Sequence, residues 1–303
     1  MSATTWRTLW QQTIEVLGER GPARWLCETA SGADGDEFTA ALDEVPTERM
    51  VAHLDAMVAR YRSGEPLAYV MGRWSFRTLD LMVDRRVLIP RPETELLAER
   101  AIAAAREFTP RVVVDLGTGS GAIGLSLAAE LPIDGTEVWL TDLSSDALDV
   151  ARANVSAVGR GAANVRIAQG SWFDALPAEL RGRVNVIVAN PPYIALDDPE
   201  VDDSVREWEP GAALFAADDG LRDIAIIVSG AHEWLAPGGH LFVEIGHRQG
   251  DAVLDLARSA SFGDRGDRGP EGDRGPEGDP GGRSTLEIVL DLAHRPRFLH
   301  TLR

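Results

Sequence analysis

The sequence predicts an α/β fold, with a parallel sheet covered by helices on both faces and a small helical segment in front of it. Three observations predict it. From Arg111 onward, short apolar runs alternate with helix-periodic stretches, which is the pattern of repeated strand–helix units. Two of those runs, 112–116 and 184–189, end in glycine-rich or polar residues. A parallel sheet lines up such ends along the edge where ligands bind. Before residue 71, apolar residues recur at spacings near three and four, the period of a helix with one buried face.

Taken in order, residues 1–71 form the helical part. Trp6, Leu9, Ile14 and Leu17, then Ala23 and Leu26, then Phe38 and Leu42, then Met50, Leu54, Met57 and Val58 supply its apolar faces. The Gly- and Asp-rich stretch 31–36 separates two of them. This part carries no catalytic motif, so it reads either as a packing cap or as a docking surface for a macromolecular substrate. Residues 72–90 read as a hairpin linker. Phe76, Leu79, Leu81 and Val83 face Val87, Leu88 and Ile89 across an expected turn at Asp84-Arg85-Arg86. Pro90-Arg91-Pro92-Glu93-Thr94-Glu95 then opens a helix running to Phe108, since Pro in the first turn and nearby acids suit a helix start.

Residues 91–303 form the sheet domain. Strands are expected at 111–116, 136–141, 164–168, 184–189 and 239–245, and helices at 121–131, 145–158, 219–235 and 248–260. Two last strands, 285–291 and 296–301, are joined by so short a link that they must pair antiparallel. Between helix and strand pair, 263–283 repeats Gly-X-Y over seven triplets. One chain cannot form the collagen helix, which needs three, and this composition offers almost no apolar surface. The stretch is expected to be a disordered, expanded loop.

Composition narrows the function. The net charge is −18, and every basic residue is Arg. Nucleic-acid binding calls for a basic footprint, so no direct nucleic-acid binding is expected. The single cysteine, Cys27, excludes an internal disulfide and fits a reducing cytoplasm. Six scattered His and one Cys have no metal-ligand spacing, so no metal is expected. Residues 1–6 lack the start of a signal peptide, and no stretch approaches the ~20 apolar residues of a membrane span.

The chemistry lies in the two strand ends. Asp115-Leu116-Gly117-Thr118-Gly119-Ser120-Gly121 lets the backbone come close to a nucleotide-like ligand, with free N–H groups on the helix that follows. The run from Gly119 to Gly124 also fits the dinucleotide fingerprint, but Asp115-Leu116-Gly117 stands before it, as in methyltransferase loops. Asp142 ends the next strand, where a carboxylate accepts ribose hydroxyls or else caps the helix beginning nearby. Trp172, taken alone, reads as core. Asn190-Pro191-Pro192-Tyr193 decides the class. An amide nitrogen is a poor nucleophile and must be oriented. The Asn190 side-chain carbonyl and the Pro191 backbone carbonyl can accept its N–H groups, the prolines stiffen the turn, and Tyr193 can lie on a flat group. Together the motifs read as an S-adenosylmethionine-dependent N-methyltransferase, ahead of a nicotinamide dehydrogenase or an inactive binding module.

Longer runs carry a resemblance. Gly64-Glu65-Pro66-Leu67-Ala68-Tyr69 with Gly72, Leu88-Ile89-Pro90-Arg91-Pro92-Glu93-Thr94-Glu95, the glycine loop, Asn190-Pro191-Pro192-Tyr193-Ile194, Glu209-Pro210 and Asp219-Gly220-Leu221 together resemble the release-factor glutamine N5-methyltransferase family, known as PrmC or HemK. The two loops alone are shared with nucleic-acid adenine or guanine N-methyltransferases, the alternative reading. The resemblance implies a seven-stranded class I (Rossmann-like) methyltransferase sheet behind a helical domain that contacts a peptide-chain release factor. It implies methylation of the glutamine in the factor's Gly-Gly-Gln motif, leaving S-adenosylhomocysteine. It also implies that Gly117, Thr118, Gly119, Ser120, Gly121, Asp142, Trp172 and Asn190 bind the methyl donor. Asn190, Pro191, Pro192 and Tyr193 would bind the glutamine, with Asn190, Pro191 and Tyr193 catalytic.

Overall fold

A computed structural model describes residues 4–263, 286–291 and 293–303. Apart from Gly263, the glycine-periodic stretch 263–283 lies outside the described residues. The chain opens with five helices: α1 (Trp6–Leu17), α2 (Arg20–Ser31), α3 (Gly35–Ala40), α4 (Glu48–Arg62) and α5 (Leu67–Met71). Side chains of Thr5 and Thr47 accept the free N–H groups at the starts of α1 and α4, and Gly18, Gly32 and Gly72 end α1, α2 and α5 in the left-handed conformation. Trp6, Leu26, Phe38, Leu54 and Met57 meet in a core of their own.

The hairpin follows, but not with its expected turn. β1 (Arg73–Phe76) and β2 (Leu79–Met82) pair with Phe76 opposite Leu79, so the chain reverses at Arg77-Thr78, with Arg77 at φ 52°. The apolar residues Val83, Val87 and Ile89 are buried for a different reason. They pack with Ala68 and Tyr69 of the helical part and with Ala147 and Val150, so the 84–86 turn joins no strands. Tyr69 donates its hydroxyl to the Val87 carbonyl at 2.6 Å.

α6 (Pro92–Ala105) begins with Pro at its first position. The sheet domain then runs β3 (Arg111–Leu116), α7 (Ala122–Glu130), β4 (Thr136–Asp142), α8 (Ser145–Val158), β5 (Val165–Gln169), β6 (Val184–Ala189) and β7 (Ile194–Ala195). It continues with α9 (Asp203–Trp208), α10 (Gly211–Leu214), β8 (Phe215–Ala216), α11 (Arg222–Trp234), β9 (Leu235–Glu244), α12 (Gly250–Ser259), β10 (Leu286–Leu290) and β11 (Pro296–Leu302). The helix expected from 219 starts only at Arg222, because Asp218, Asp219 and Gly220 all turn at positive φ.

The seven-stranded sheet has the order β10-β11-β9-β6-β3-β4-β5, and only the two pairings made by β11 are antiparallel. Its central strands β3 and β6 are buried on both faces. Val113, Val186 and Val188 point into a core with α6 and α7, while Val114, Ile187 and Ala189 point into one with α11 and α12. The chain runs from β3 to β4 on one side and returns to β6 on the other, so the strand order reverses between β3 and β6. That is where open α/β sheets form their ligand crevice. Leu116 pairs with Ala189, which sets Gly117 and Asn190 side by side at the strand ends.

Candidate active site

A cavity of about 540 Å³ opens at this crevice, within the ~300–1,000 Å³ typical of small-molecule sites. Gly117, Thr118, Gly119, Ser120, Asp142, Trp172, Asn190 and Pro192 line it. Gly117, Gly119 and Gly121 all have positive φ, which a side chain would resist. Gly121 lies outside the lining and opens α7.

Two carboxylates shape the loop. Asp115 is fully buried; its Oδ2 accepts the Thr118 hydroxyl at 2.6 Å and the Gly124 N–H at 2.9 Å. Burial pushes its pKa up to about 6, and its Oδ1 has no partner among the described residues. Asp142 accepts Gly119 N–H on Oδ2 and Ser144 N–H on Oδ1, each at 2.9 Å. Its pKa is also raised by burial, against these two hydrogen bonds. The cap of α8 is Ser144, whose hydroxyl accepts the Ala147 N–H. Asp142 is therefore not the helix cap and stays on the cavity wall.

Trp172 does more than fill core. Its backbone sits at φ 45°, its indole N–H donates to Asp223 at 3.2 Å, and its ring approaches Gly117 so closely that a Cβ there would lie 3.2 Å away. The ring also packs against the sheet core.

A second cavity of about 250 Å³ adjoins the first, lined by Arg91, Pro191, Tyr193, Ile194, Val205 and Leu214 among others. Asn190, Leu88 and Ala213 line both. Asn190 thus stands at the junction, with Pro191 and Tyr193 on the small side and Pro192 on the large side.

Behind the junction lies a buried network. Asn190 Nδ2 donates to Thr94 Oγ1 at 3.4 Å, Thr94 donates to Glu244 Oε2 at 2.7 Å, and the Tyr193 hydroxyl donates to Glu244 Oε1 at 3.2 Å. Burial pushes the Glu244 pKa up to about 7, opposed by Thr94, Arg297 and Tyr193; burial also raises the Tyr193 hydroxyl. Glu209, buried, accepts the Ile89 N–H at 3.1 Å and pairs with Arg91 at 2.5 Å, which fixes Arg91 on the wall of the small cavity. Gln249 donates to the carbonyls of Tyr193 and Asp219 and accepts the Gly246 N–H. Sequence reasoning singled out none of Thr94, Glu209, Glu244 and Gln249 as site residues. Glu244 carried a usable signal, since like Asp142 it is a carboxylate closing an apolar strand.

Among the described residues, no helix is long and apolar enough to cross a membrane, and no group of three or more His, Cys, Asp or Glu side chains could hold a metal ion.

The sequence matches the Methyltransferase small domain family over residues 92–205 and the PrmC N-terminal domain family over residues 12–72. It is 41% identical over 245 residues to a release factor glutamine methyltransferase of Burkholderia pseudomallei, covering 80% of this chain and 85% of that one. With one of the same description from Xylella fastidiosa, it shares 44% identity over 205 residues, 68% of this chain and 72% of the other. Among solved structures, the hMettl16 catalytic domain in complex with MAT2A 3'UTR hairpin 6 superposes with a TM-score of 0.50 at 13% identity, covering 84% of this chain and 82% of that one. That last likeness concerns the fold alone.

Proposed function

The chain belongs to the release factor glutamine methyltransferase family, and from that premise we propose that it transfers a methyl group from S-adenosylmethionine to the side-chain nitrogen (N5) of the glutamine in the Gly-Gly-Gln motif of peptide-chain release factors. The observation that carries the reading is the place of Asn190, whose side chain borders both the larger and the smaller cavity.

The larger cavity fits the methyl donor. Asp142 offers carboxylate oxygens for ribose hydroxyls at the end of β4, and the Trp172 ring forms a wall beside Gly117. When bound, the donor supplies an electrophilic methyl on a sulfonium centre.

The chain's own residues do the rest. The glutamine side chain enters the smaller cavity, where Tyr193 lies against its flat amide. Asn190 Oδ1 and the Pro191 carbonyl accept its two N–H groups. These acceptors hold the nitrogen toward the larger cavity and stabilise the positive charge that grows on it as the N–C bond forms and the donor's S–C bond breaks. The nitrogen then releases one proton to water, so no strong base is needed.

The test is direct. The full chain is incubated with labelled methyl donor and purified release factors, and the label is mapped by mass spectrometry. Label on the motif's glutamine is expected, and Asn190→Ala should lower turnover ~100-fold or more, the usual cost of a preorganised acceptor. Label on nucleic acid with none on release factor would overturn the assignment.

A further inference from the structure

The relay behind Asn190 has a direction, and that direction follows from proton counting. An ionised carboxylate can only accept hydrogen bonds. Both oxygens of Glu244 are engaged by hydroxyls, Thr94 on Oε2 and Tyr193 on Oε1. A threonine hydroxyl has one proton. Once Thr94 gives it to Glu244, its oxygen can only accept toward Asn190, at 3.4 Å. The partner from Asn190 must therefore be the NH₂ end of the amide, and Oδ1 is the end left for the cavity.

We propose that Thr94 and Glu244 are positioning residues that fix which end of the Asn190 amide meets the substrate, holding its carbonyl toward the glutamine nitrogen. The inference rests on the proposed glutamine methylation. Neither residue touches the reacting atoms; both act through Asn190. An Asn190 turned the other way would present N–H donors to an amide nitrogen that itself carries N–H groups, and the acceptor would be lost. The arrangement is built from three distant segments. Thr94 comes from the first turn of α6, Asn190 and Tyr193 follow β6, and Glu244 ends β9.

The ionisation of Glu244 sets the direction, so its surroundings matter. Thr94 and Glu93 face it from α6, Tyr193 from the loop after β6, and Arg297, itself paired with Asp291, from β11. Of these, Glu93 favours the protonated form, while Arg297 and the two hydroxyls favour the ionised form. Protonated Glu244 can donate to Thr94, which frees the threonine proton to point at Asn190 and removes the constraint.

The experiment is a double-mutant cycle on the full chain, with kcat and KM measured on intact release factor. Thr94→Val keeps the shape and removes the hydroxyl. Thr94 also lines the larger cavity, so product affinity is measured separately; kcat should fall about tenfold, the scale of one hydrogen bond, with the melting temperature near wild type. Thr94→Ser should restore kcat to within about threefold. In an Asn190→Ala background, Thr94→Val should cost nothing more, because the amide it orients is gone. Equal loss in both backgrounds, or a serine variant as slow as valine, overturns the relay. Should Thr94→Val not fold, the pH profile decides. Wild-type kcat should rise with pH through about 7 as Glu244 ionises, and Glu244→Gln should lack that rise; a rise retained in Glu244→Gln overturns the proposal. A wild-type enzyme without release-factor methylation would instead remove the functional reading itself, which separates the two failures.

Discussion

Gly220→Ala is the sharpest test of how the acceptor loop is held. Gly220 sits at φ +81°, and a Cβ built there would lie 2.1 Å from the Tyr193 carbonyl oxygen, 2.7 Å from its carbon and 2.8 Å from Gln249 Nε2. The first two are backbone atoms and cannot swing aside. To restore ordinary contact, the Tyr193 carbonyl would have to retreat by more than ~1 Å. Left-handed backbone costs an alanine ~1–2 kcal/mol, and overpacking adds ~1–3 kcal/mol. A total of about 2–5 kcal/mol should lower the melting temperature by roughly 4–20 °C. The larger effect should fall on catalysis, since a ~1 Å misplacement of the acceptor loop costs on the order of 100-fold. Gly238→Ala is the control. Its φ is +76°, with nothing within 4 Å of the built Cβ, so it should lose only the conformational ~1–2 kcal/mol and keep its turnover. Calorimetry and steady-state methylation on both variants decide the matter. If Gly220→Ala behaves like Gly238→Ala in both measurements, the contact with Tyr193 does not position the loop.

Three further outcomes are expected. Asp142→Ala should weaken S-adenosylhomocysteine binding by about 1.5–3 kcal/mol through lost charge-assisted hydrogen bonds; unchanged affinity by titration calorimetry would show that Asp142 only braces Gly119 and Ser144. Arg91→Met strands the Glu209 carboxylate, whose side chain is 2% exposed, while Arg91 itself is 34% exposed. Urea denaturation should show a loss of about 3 kcal/mol, the low end for a broken buried pair, largely restored by adding Glu209→Gln; an unchanged midpoint refutes the pairing as a stabilising contact. Glu244 binds a proton in the folded chain up to about pH 7 that the unfolded chain releases near 4.5, so its contribution to stability is present at low pH and lost as pH rises through that window. Melting curves of Glu244→Gln relative to wild type should therefore shift in the variant's favour by about 3 kcal/mol between pH 5 and 8, and a pH-independent difference would count against the raised pKa.

The sheet was legible because its signal is local. Val112 to Leu116 and Val184 to Ala189 are apolar runs interrupted only by Asp115 and Asn185, and strands buried on both faces need such runs. The glycine loop and the Asn190 turn were legible because their chemistry is written in consecutive residues. The supporting network was not, because Thr94 and Glu244 meet across 150 residues of sequence and Gln249 reaches Tyr193 across 56, and an isolated Thr or Gln announces nothing. The small cavity's outer wall was missed for another reason. α9, α10 and the two-residue strands β7 and β8 are too short to show a period. The hairpin turn was misplaced because apolar spacing reports burial and not its partner: Val83, Val87 and Ile89 are covered by Tyr69 and its neighbours, not by a strand.

The position of β11 has a consequence for how the chain is made. It is the last strand in chain order, yet it lies inside the sheet, between β9 and β10. Synthesis delivers strands in chain order, so β9 emerges with one open edge and must wait. β10 cannot close that edge, because its only place is on the far side of a strand not yet made. During this interval the nascent chain presents an unpaired apolar template, the kind of surface that recruits chaperones or stray strands. When β11 slots in, it covers the edge and brings Arg297 to Glu244 in the same motion. Completion of the sheet and completion of the support behind Asn190 are thus one event in the life of the polypeptide.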